Sequence, residues 1–234
     1  MTSGGGVVVV LQARMGSTRL PGKVLADIDG RSILAHCIAR LTSAAVGPLV
    51  VATTVEKEDA AVEAEALRWG ARVFRGPRDD VLQRFLLVAD SLNARVLVRA
   101  TADNPAVDAD APERVLSALA VHRADHVVEA GLPVGGAVEA VTVSALREAA
   151  QASADPYDRE HVTPWVRTHP GRCRALVPPA PAHLLRPDLR LTVDTPVDLA
   201  FVGRVLAAVG AGARVVPLSE IIGAADRESG TGGL

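Results

Sequence analysis

Aromatic side chains are scarce in this chain of 234 residues, of which 3% are Phe, Trp or Tyr and 49% are hydrophobic. The interior must therefore be built from aliphatic side chains, because there are too few rings to fill it. Cysteine is scarce as well: Cys37 and Cys173 stand alone, without a partner at a spacing typical of metal sites. The sequence predicts an aliphatic core that includes Cys37, and a reducing, cytoplasmic setting.

A strong net charge and a long apolar run are both missing. The formal net charge is -2, which gives no overall basic field to attract nucleic acid or a membrane surface. No apolar stretch reaches the length of a membrane span, and the first six residues lack the basic region of a signal peptide. We therefore expect neither nucleic acid nor a membrane among the partners of this protein.

Apolar strands alternate with amphipathic helices through the first half of the chain. The runs Val7–Leu11, Leu49–Thr53 and Arg95–Arg99 are nearly continuous in apolar residues, which is typical of strands buried on both faces of a parallel sheet. This alternation predicts an α/β fold of three layers, with a mostly parallel, twisted sheet and helices on both of its faces.

The length of the chain permits one large α/β domain, which we assign to residues 1–222. The less regular segment from about 132 to 181 is predicted to form a lid or a dimerisation arm on that domain. The glycine-rich end, residues 223–234, is predicted to be a flexible tail.

Several polar side chains are expected at the surface. His36 and Arg40 fall off the apolar stripe of the helix that Ser32 caps. The remaining histidines show no spacing typical of a metal site, so we also place them in loops or at the surface; they are His122, His126, His169 and His183.

A basic, glycine-containing loop with the sequence LQARMGSTRLPGK follows the first strand, from Leu11 to Lys23. Glycine lets the backbone approach a ligand closely or adopt positive φ. The basic and small side chains of this loop suit the binding of phosphate oxygens; they are Arg14, Gly16, Ser17, Arg19, Gly22 and Lys23. Since open α/β sheets bind ligands at the carboxyl ends of their strands, the loop is predicted to bind an anion.

This loop resembles the N-terminal signature of the sugar cytidylyltransferases, close to the SpsF-like branch and related to the enzymes that make CMP-3-deoxy-octulosonate and CMP-sialic acid. The resemblance extends from Val7 to about Leu206 and implies a fold like that of nucleotide-diphospho-sugar transferases. It implies that CTP binds to residues of the loop and of the strand ends, namely Leu11, Ala13, Arg14, Gly16, Ser17, Lys23, Thr53, Arg75 and Asp103. For Arg75, the alternative is a simple ion pair with Asp79.

Two aspartates stand at the ends of strands that are far apart in sequence, Asp103 in TADNP and Asp194 in TVDTP. Because parallel strands end at one edge of a sheet, these carboxylates could meet there. The resemblance implies that they hold Mg²⁺ and are catalytic together with Arg14 and Lys23. The alternative for either aspartate is a turn or a helix cap. For Asp198 the alternatives are a third contact in this site and a negative charge in the first turn of a helix, and we expect the second.

The segment REHVTP, residues 159–164, lies in a predicted helix that reaches Thr168, and it is similar to a segment of the SpsF-like branch. The resemblance implies an acceptor-binding site formed by Glu139, Arg159, Glu160 and His161. The alternative is a helix start with solvated charges. Ala137 stands where the relatives have an aspartate, and this difference leaves the identity of the acceptor open.

The resemblance across these motifs implies a Mg²⁺-dependent nucleotidyltransferase that works as a homodimer. It would transfer CMP from CTP to a sugar or a related acidic or phosphonate acceptor and release pyrophosphate. One alternative is a GT-A-like glycosyltransferase that uses a nucleotide sugar, although such a donor needs less positive charge than the loop offers. The other is a degenerate nucleotide-binding protein without catalysis, which Ala137 motivates.

Overall fold

The computed structural model describes residues 6–231, and its centre is one twisted sheet. The strands are β1 (Val7–Gln12), β2 (Asp27–Ile28), β3 (Arg31–Ser32), β4 (Leu49–Thr54), β5 (Arg72–Gly76), β6 (Val96–Thr101), β7 (His126–Val128), β8 (Glu139–Thr142) and β9 (Ala175–Leu176). The helices are α1 (Ile33–Ser43), α2 (Ala60–Arg68), α3 (Val81–Ser91), α4 (Ala111–His122), α5 (Val143–Ala152), α6 (Pro156–His161), α7 (Pro164–Thr168), α8 (Pro196–Ala208) and α9 (Leu218–Thr231).

Seven strands form the main sheet in the order β5-β4-β1-β6-β8-β7-β9, and β2 pairs with β3 in a separate hairpin. The pairs β1–β4, β1–β6, β4–β5 and β7–β9 are parallel, whereas β8 runs antiparallel to both β6 and β7. The predicted mostly parallel sheet is therefore confirmed. Its central pair, β1 and β6, ends on the side where ligands bind in open α/β sheets.

Both faces of the sheet are covered by helices, as the sequence predicts. Successive side chains of a strand point to opposite faces. In β1, Val8 and Val10 accordingly pack in a core with residues of α3, α5 and α7, while Val9 and Leu11 pack in a second core with residues of α1, α4, α8 and α9. Among residues 6–231, no helix combines the length and the apolar composition that crossing a membrane requires.

The segment predicted as a lid or arm, residues 132–181, is partly built into the core. Strand β8 lies inside the sheet between β6 and β7, and α5 follows it directly. The predicted flexible tail is also wrong for most of its length, because α9 continues to Thr231, with residues such as Ile221 and Ala225 buried. Residues 232–234 lie outside the described part of the chain. Glycine-rich sequence has a low helix propensity, so the sequence did not predict this helix, which is stabilised by packing of its apolar side.

Helix prediction was also wrong across residues 159–168. The chain forms two short helices there, α6 and α7, and Pro164 occupies the start of the second. Val162, between them, has a φ of 73°, which a continuous helix does not allow. The break at Val162 therefore separates α6 from α7.

Three polar side chains predicted at the surface are buried instead: His36, Arg40 and His126. His36 bonds through Nε2 to the carbonyl oxygen of Ile28 at 2.8 Å, and burial lowers its pKa. Arg40 donates to two backbone carbonyl oxygens of distant segments, those of Val107 and Val216. Burial of these groups is possible because each gains hydrogen bonds, a compensation that periodicity alone does not reveal. The prediction that Cys37 lies in the core is confirmed.

Candidate active site

The carboxyl ends of β1 and β6 open into a cavity of about 420 Å³. Its walls come from the loop after β1, the end of β6, the end of α6 and the segment before α8. The lining residues are Gln12, Ala13, Arg14, Gly16, Ser17, Thr18, Arg19, Lys23, Val24, Arg99, Thr101, Ala102, Asp103, Glu160, His161 and Asp194. One cavity thus collects residues of the basic loop, both predicted metal ligands and part of the predicted acceptor segment.

Lys23 joins the two aspartates that the sequence singles out. Its Nζ lies 3.0 Å from Oδ2 of Asp103 and 2.8 Å from Oδ1 of Asp194. The same ammonium group donates to the carbonyl oxygen of Val193 at 2.8 Å. The side chain of Lys23 is 11% exposed, so these charges interact with limited screening by solvent. The fold therefore brings together carboxylates from two strand-end loops around one positive charge.

Further basic side chains surround Asp194. Arg19 lies 3.0 Å from its Oδ1, and Arg190 donates to its Oδ2 at 2.6 Å. Burial raises the pKa of Asp194, but the hydrogen bond and charge of Lys23, with Arg19 and Arg190, outweigh burial and lower that pKa. Asp194 is consequently an ionised carboxylate at neutral pH.

Asp198 has the helix-start role expected for it. Its carboxylate accepts from the backbone N–H of Thr195, and the Thr195 hydroxyl accepts from the backbone N–H of Asp198, which forms a capping box for α8. The carboxylate also accepts from the backbone N–H of Asp194 at 3.0 Å. Asp198 thereby fixes the backbone of Asp194 without lining the cavity.

Asp103 and Asp194 are a donor set that fits Mg²⁺. Both carboxylates reach a single ammonium nitrogen, so one small cation could contact both of them. Mg²⁺ prefers oxygen ligands and is usually held by one or two carboxylates together with substrate phosphates. Within residues 6–231, no group of three or more His, Cys, Asp or Glu is placed to hold a metal ion. A metal here would depend on oxygens of the substrate to complete its coordination.

The loop after β1 is anchored by a buried carboxylate that the sequence did not single out. Asp59 is 2% exposed, and its Oδ1 accepts from the backbone N–H of Met15 at 2.6 Å. Its Oδ2 accepts from the hydroxyl of Thr54. The backbone N–H of Gly22 bonds to the carbonyl oxygen of Met15 and closes the loop, with φ of 70° at Gly22. Asp59 therefore fixes the loop against the end of β4.

Replacing Asp59 with alanine is expected to loosen this loop. The change removes two hydrogen bonds to a buried carboxylate, each worth about 1.5–3 kcal/mol. We expect a lower thermal midpoint and an affinity for nucleotide lowered about tenfold, because misplacing a binding loop by a fraction of an ångström is costly. Thermal unfolding and nucleotide titration by calorimetry measure the two effects. Asp59→Asn, which keeps one acceptor, should be intermediate, whereas an unchanged nucleotide affinity in Asp59→Ala would contradict the anchoring role.

A second cavity, of about 240 Å³, adjoins the first along the basic loop. It is lined by Arg14, Gly16, Ser17, Thr18, Thr54, Glu56, Glu58, Asp59 and Arg78. The predicted nucleotide-binding residues Thr53 and Arg75 line neither this cavity nor the first. Arg75 binds Glu63 at 3.0 Å and two backbone carbonyl oxygens, so its ion-pair partner is Glu63 and not Asp79. Thr54 and Arg78 line the second cavity, whereas the nearby residues Thr53 and Arg75, which the sequence singled out, do not.

Leu11 is fully buried in the core beneath the loop, and Ala13 lines the first cavity. Leu11 therefore supports the cavity without forming part of its wall. The backbone N–H of Ala13 bonds to the carbonyl oxygen of Ala52 at 3.2 Å, which continues the pairing of β1 with β4 past the strand end. This bond holds the start of the basic loop beside the second cavity.

The end of α6 faces the basic loop across the first cavity. Glu160 and His161 both line it, and Glu160 accepts from Arg14 at 3.1 Å. Arg159 is directed elsewhere: it binds Asp80 at 3.2 Å and donates to the backbone oxygens of Ala150 and Ser153. The structure therefore places two of the three predicted acceptor residues of this segment at the cavity, and it uses Arg159 to attach α6 to its neighbours.

Glu139, the remaining predicted acceptor residue, belongs to a buried polar cluster beside the cavity. Arg99 donates to its Oε1 at 2.6 Å, and Nε2 of His126 lies 2.7 Å from its Oε2. Burial raises the pKa of Glu139, but the charge of Arg99, with His126 and Thr163, outweighs burial and lowers that pKa to about 2. Glu139 is thus an ionised partner of Arg99, and Arg99 is the member of the cluster that lines the cavity.

Comparison with known proteins gives one consistent result. A family model described as cytidylyltransferase matches residues 8–202. The spore coat polysaccharide biosynthesis protein SpsF of Bacillus subtilis (strain 168) is 36% identical over 199 residues, which covers 82% of each chain. The residues matched by the family model include the basic loop, both aspartates and the end of α6.

Solved structures share the fold. A cytidylyltransferase from Leptospira borgpetersenii superposes with a TM-score of 0.86 at 26% identity, covering 96% of this chain and 94% of the other. A CMP:2-keto-3-deoxy-manno-octonic acid synthetase complexed with CTP gives a TM-score of 0.66 at 20% identity, covering 87% of this chain and 99% of the other. At that lower identity, the second comparison supports the fold alone.

Proposed function

This chain belongs to the cytidylyltransferase family, and we propose that it transfers CMP from CTP to a hydroxyl of a sugar or a related acidic acceptor, with release of pyrophosphate. The observation that carries the proposal is the placement of Lys23 between Asp103 and Asp194 at the edge of a cavity that the basic loop lines. Nucleotidyl transfer needs positive charge for a triphosphate and carboxylates for a divalent cation, and this cavity offers both.

In the proposed reaction, the acceptor hydroxyl oxygen attacks the α-phosphorus of CTP. The bond from that phosphorus to the oxygen bridging to the β-phosphate breaks, and its electron pair leaves with pyrophosphate. The hydroxyl proton is lost to solvent or to a base. Arg14 and Lys23 stabilise negative charge on the triphosphate and the leaving group, and Gly16 and Ser17 bind phosphate. The chemistry depends on positioning and charge, so no covalent nucleophile is needed.

The proposal includes Mg²⁺ held by Asp103 and Asp194. When bound, the ion would neutralise phosphate charge and orient the reacting oxygens. Arg19 and Arg190 keep Asp194 ionised and aimed at the cavity, while Asp198 fixes its backbone. Lys23, which belongs to the basic loop, places its positive charge beside the same two carboxylates. The homodimer and the cytoplasmic location expected from the sequence are further parts of the proposal, and light scattering on the purified chain would test the first.

The test is an assay of pyrophosphate release. The protein is incubated with Mg²⁺, each nucleoside triphosphate in turn and a panel of neutral and acidic sugars. We expect release with CTP and at least one acceptor, and at least tenfold less with ATP, GTP or UTP. Sugar transfer from a CMP- or UDP-sugar, without pyrophosphate, would favour the glycosyltransferase alternative. No release with any acceptor, together with no calorimetric binding of CTP, would contradict the proposal.

A further inference from the structure

The ammonium group of Lys23 donates to three oxygen atoms that lie around it. Its Nζ is 3.0 Å from Oδ2 of Asp103, 2.8 Å from Oδ1 of Asp194 and 2.8 Å from the carbonyl oxygen of Val193. An ammonium group carries three N–H donors and no acceptor, so these bonds use all of its donors. Lys23 lines the main cavity, yet it can bind a phosphate oxygen there only by giving up one of these bonds.

Both carboxylate oxygens of Asp194 are in contact with cations. Oδ1 meets Lys23 and also Arg19 at 3.0 Å, while Oδ2 accepts from Arg190 at 2.6 Å. A divalent ion held by Asp103 and Asp194 together would lie close to the ammonium group of Lys23. Because that side chain is 11% exposed, the repulsion between the two positive charges would be only partly screened by water. Lys23 and a metal ion thus compete for the same two carboxylates.

The ion pairs around Asp194 form a group of three carboxylates and three cations, whose formal charges balance. The carboxylates are Asp103, Asp194 and Asp198, and the cations are Lys23, Arg19 and Arg190. A bare divalent cation therefore meets no net negative charge here. A metal–triphosphate complex is different, because it is itself an anion and its phosphate oxygens serve both as ligands of the metal and as new partners for Lys23.

We propose that Lys23 keeps free divalent cations out of this site and releases Asp103 and Asp194 only when a triphosphate arrives with the metal. The lysine side chain has a flexible four-carbon stem, so its ammonium group can exchange carboxylate for phosphate oxygens without displacing the loop. Metal and nucleotide consequently bind together, and each raises the affinity for the other by the same factor. This inference rests on the proposed function and adds the regulation of its site.

The test compares two binding measurements on the full chain, neither of which needs turnover. Mn²⁺, which takes the same oxygen ligands as Mg²⁺, is titrated without nucleotide, and the free ion is followed by electron paramagnetic resonance. CTP is titrated calorimetrically in the presence of Mg²⁺. Lys23→Gln removes the charge but keeps an N–H donor. We expect it to bind Mn²⁺ about tenfold more tightly and CTP about tenfold more weakly than the unchanged protein.

Two control variants separate charge from other effects. Lys23→Arg keeps the positive charge beside the carboxylates, so its affinity for Mn²⁺ should stay as weak as that of the unchanged protein. Arg204→Gln removes an exposed cation that pairs with Glu228 at 3.0 Å, away from the cavity, and it should change neither measurement. If Lys23→Gln fails to fold, the unchanged protein still decides, since it should bind Mn²⁺ only weakly without a nucleotide.

The opposite directions of the two effects make the result decisive. Weaker binding of both ligands by Lys23→Gln would show a merely structural role, and unchanged Mn²⁺ binding would show that Lys23 does not control the metal. Stoichiometric Mn²⁺ binding by the unchanged protein without nucleotide would overturn the inference as well.

Pyrophosphate release by the unchanged protein separates these failures from failure of the proposed function. If pyrophosphate forms from CTP while the Mn²⁺ results go the wrong way, the role of Lys23 is wrong and the transferase stands. If the unchanged protein neither binds CTP nor releases pyrophosphate, the proposed function is wrong, and this inference fails with it.

Discussion

Asp103→Asn is expected to lower kcat by at least about 1,000-fold, which corresponds to about 4 kcal/mol of transition-state stabilisation. Asparagine keeps the shape of the side chain but removes one of the two negative charges around Nζ of Lys23. A divalent cation would then meet one carboxylate instead of two, and its affinity should fall with the rate. Lys23 keeps its bonds to Asp194 and Val193, so the fold should survive.

The measurement is pyrophosphate release as a function of Mg²⁺ concentration, with the thermal midpoint recorded for each variant. Asp188→Asn is a suitable control, because Asp188 is an exposed carboxylate paired with Arg186, away from the cavity. It should retain full activity and the same Mg²⁺ dependence. Activity within tenfold of the unchanged protein in Asp103→Asn would remove this carboxylate from the catalytic group. The same experiment with Asp194→Asn tests the second carboxylate, although there Arg19 and Arg190 also lose a partner.

The central strands of the sheet could be predicted because each of them is a continuous apolar run in the sequence. Val8–Leu11 and Leu49–Ala52 are buried on both faces, and continuous apolar sequence is what such strands require. The sequence predicts a strand at Val138–Val141, but this short segment with the polar residues Glu139 and Thr142 did not reveal that β8 lies inside the main sheet. It is held by pairing with β6 and β7, which is tertiary information. The segment around it was consequently taken for part of a lid.

The meeting of the two aspartates at one edge of the sheet could be predicted for a different reason. Asp103 and Asp194 follow strands, and strand ends of a parallel sheet share one edge, so their meeting follows from topology. Asp59 was missed because it stands in the acidic run Glu56–Asp59, where nothing in the sequence separates it from its exposed neighbours. The contacts of Arg159 with Asp80 and with the backbone oxygens of Ala150 and Ser153 could not be predicted either, because they depend on how α6 packs against its neighbours.

The periodicity of the sequence does not predict which polar side chains of the strands are buried. His126 and Arg99 are polar residues in strand positions, and a polar residue in a strand usually faces solvent. Here they share the face of Glu139, whose carboxylate forms an ion pair with Arg99 and a hydrogen bond with His126. Side chains still alternate between the two faces along β6 and β8, but Arg99 and Glu139 are polar residues at positions that point into the protein. Only the pairing register, with Arg99 opposite Glu139, identifies the partners.

Glu139→Gln is expected to destabilise the protein by about 3 kcal/mol at pH 7. The pKa of Glu139 falls from its ordinary value of 4.5 to about 2 in the folded protein. A difference of this size corresponds to about 3 kcal/mol of preference for the ionised form. Glutamine cannot supply the charge, so Arg99 is left buried without a counter-ion, which is the costly way to break such a pair.

The pH dependence provides the sharper measurement. Because the folded-state pKa is lowered, the stabilisation by ionised Glu139 is complete above pH 4.5 and is lost as the pH falls towards 2. In urea unfolding, the stability gap between the unchanged protein and Glu139→Gln should therefore be constant from pH 7 to about pH 5 and narrow below that. Glu113→Gln, an exposed site on α4, should show almost no gap at any pH. A gap that stays constant down to pH 3 would mean that Glu139 acts through its shape and hydrogen bonds and not through its charge.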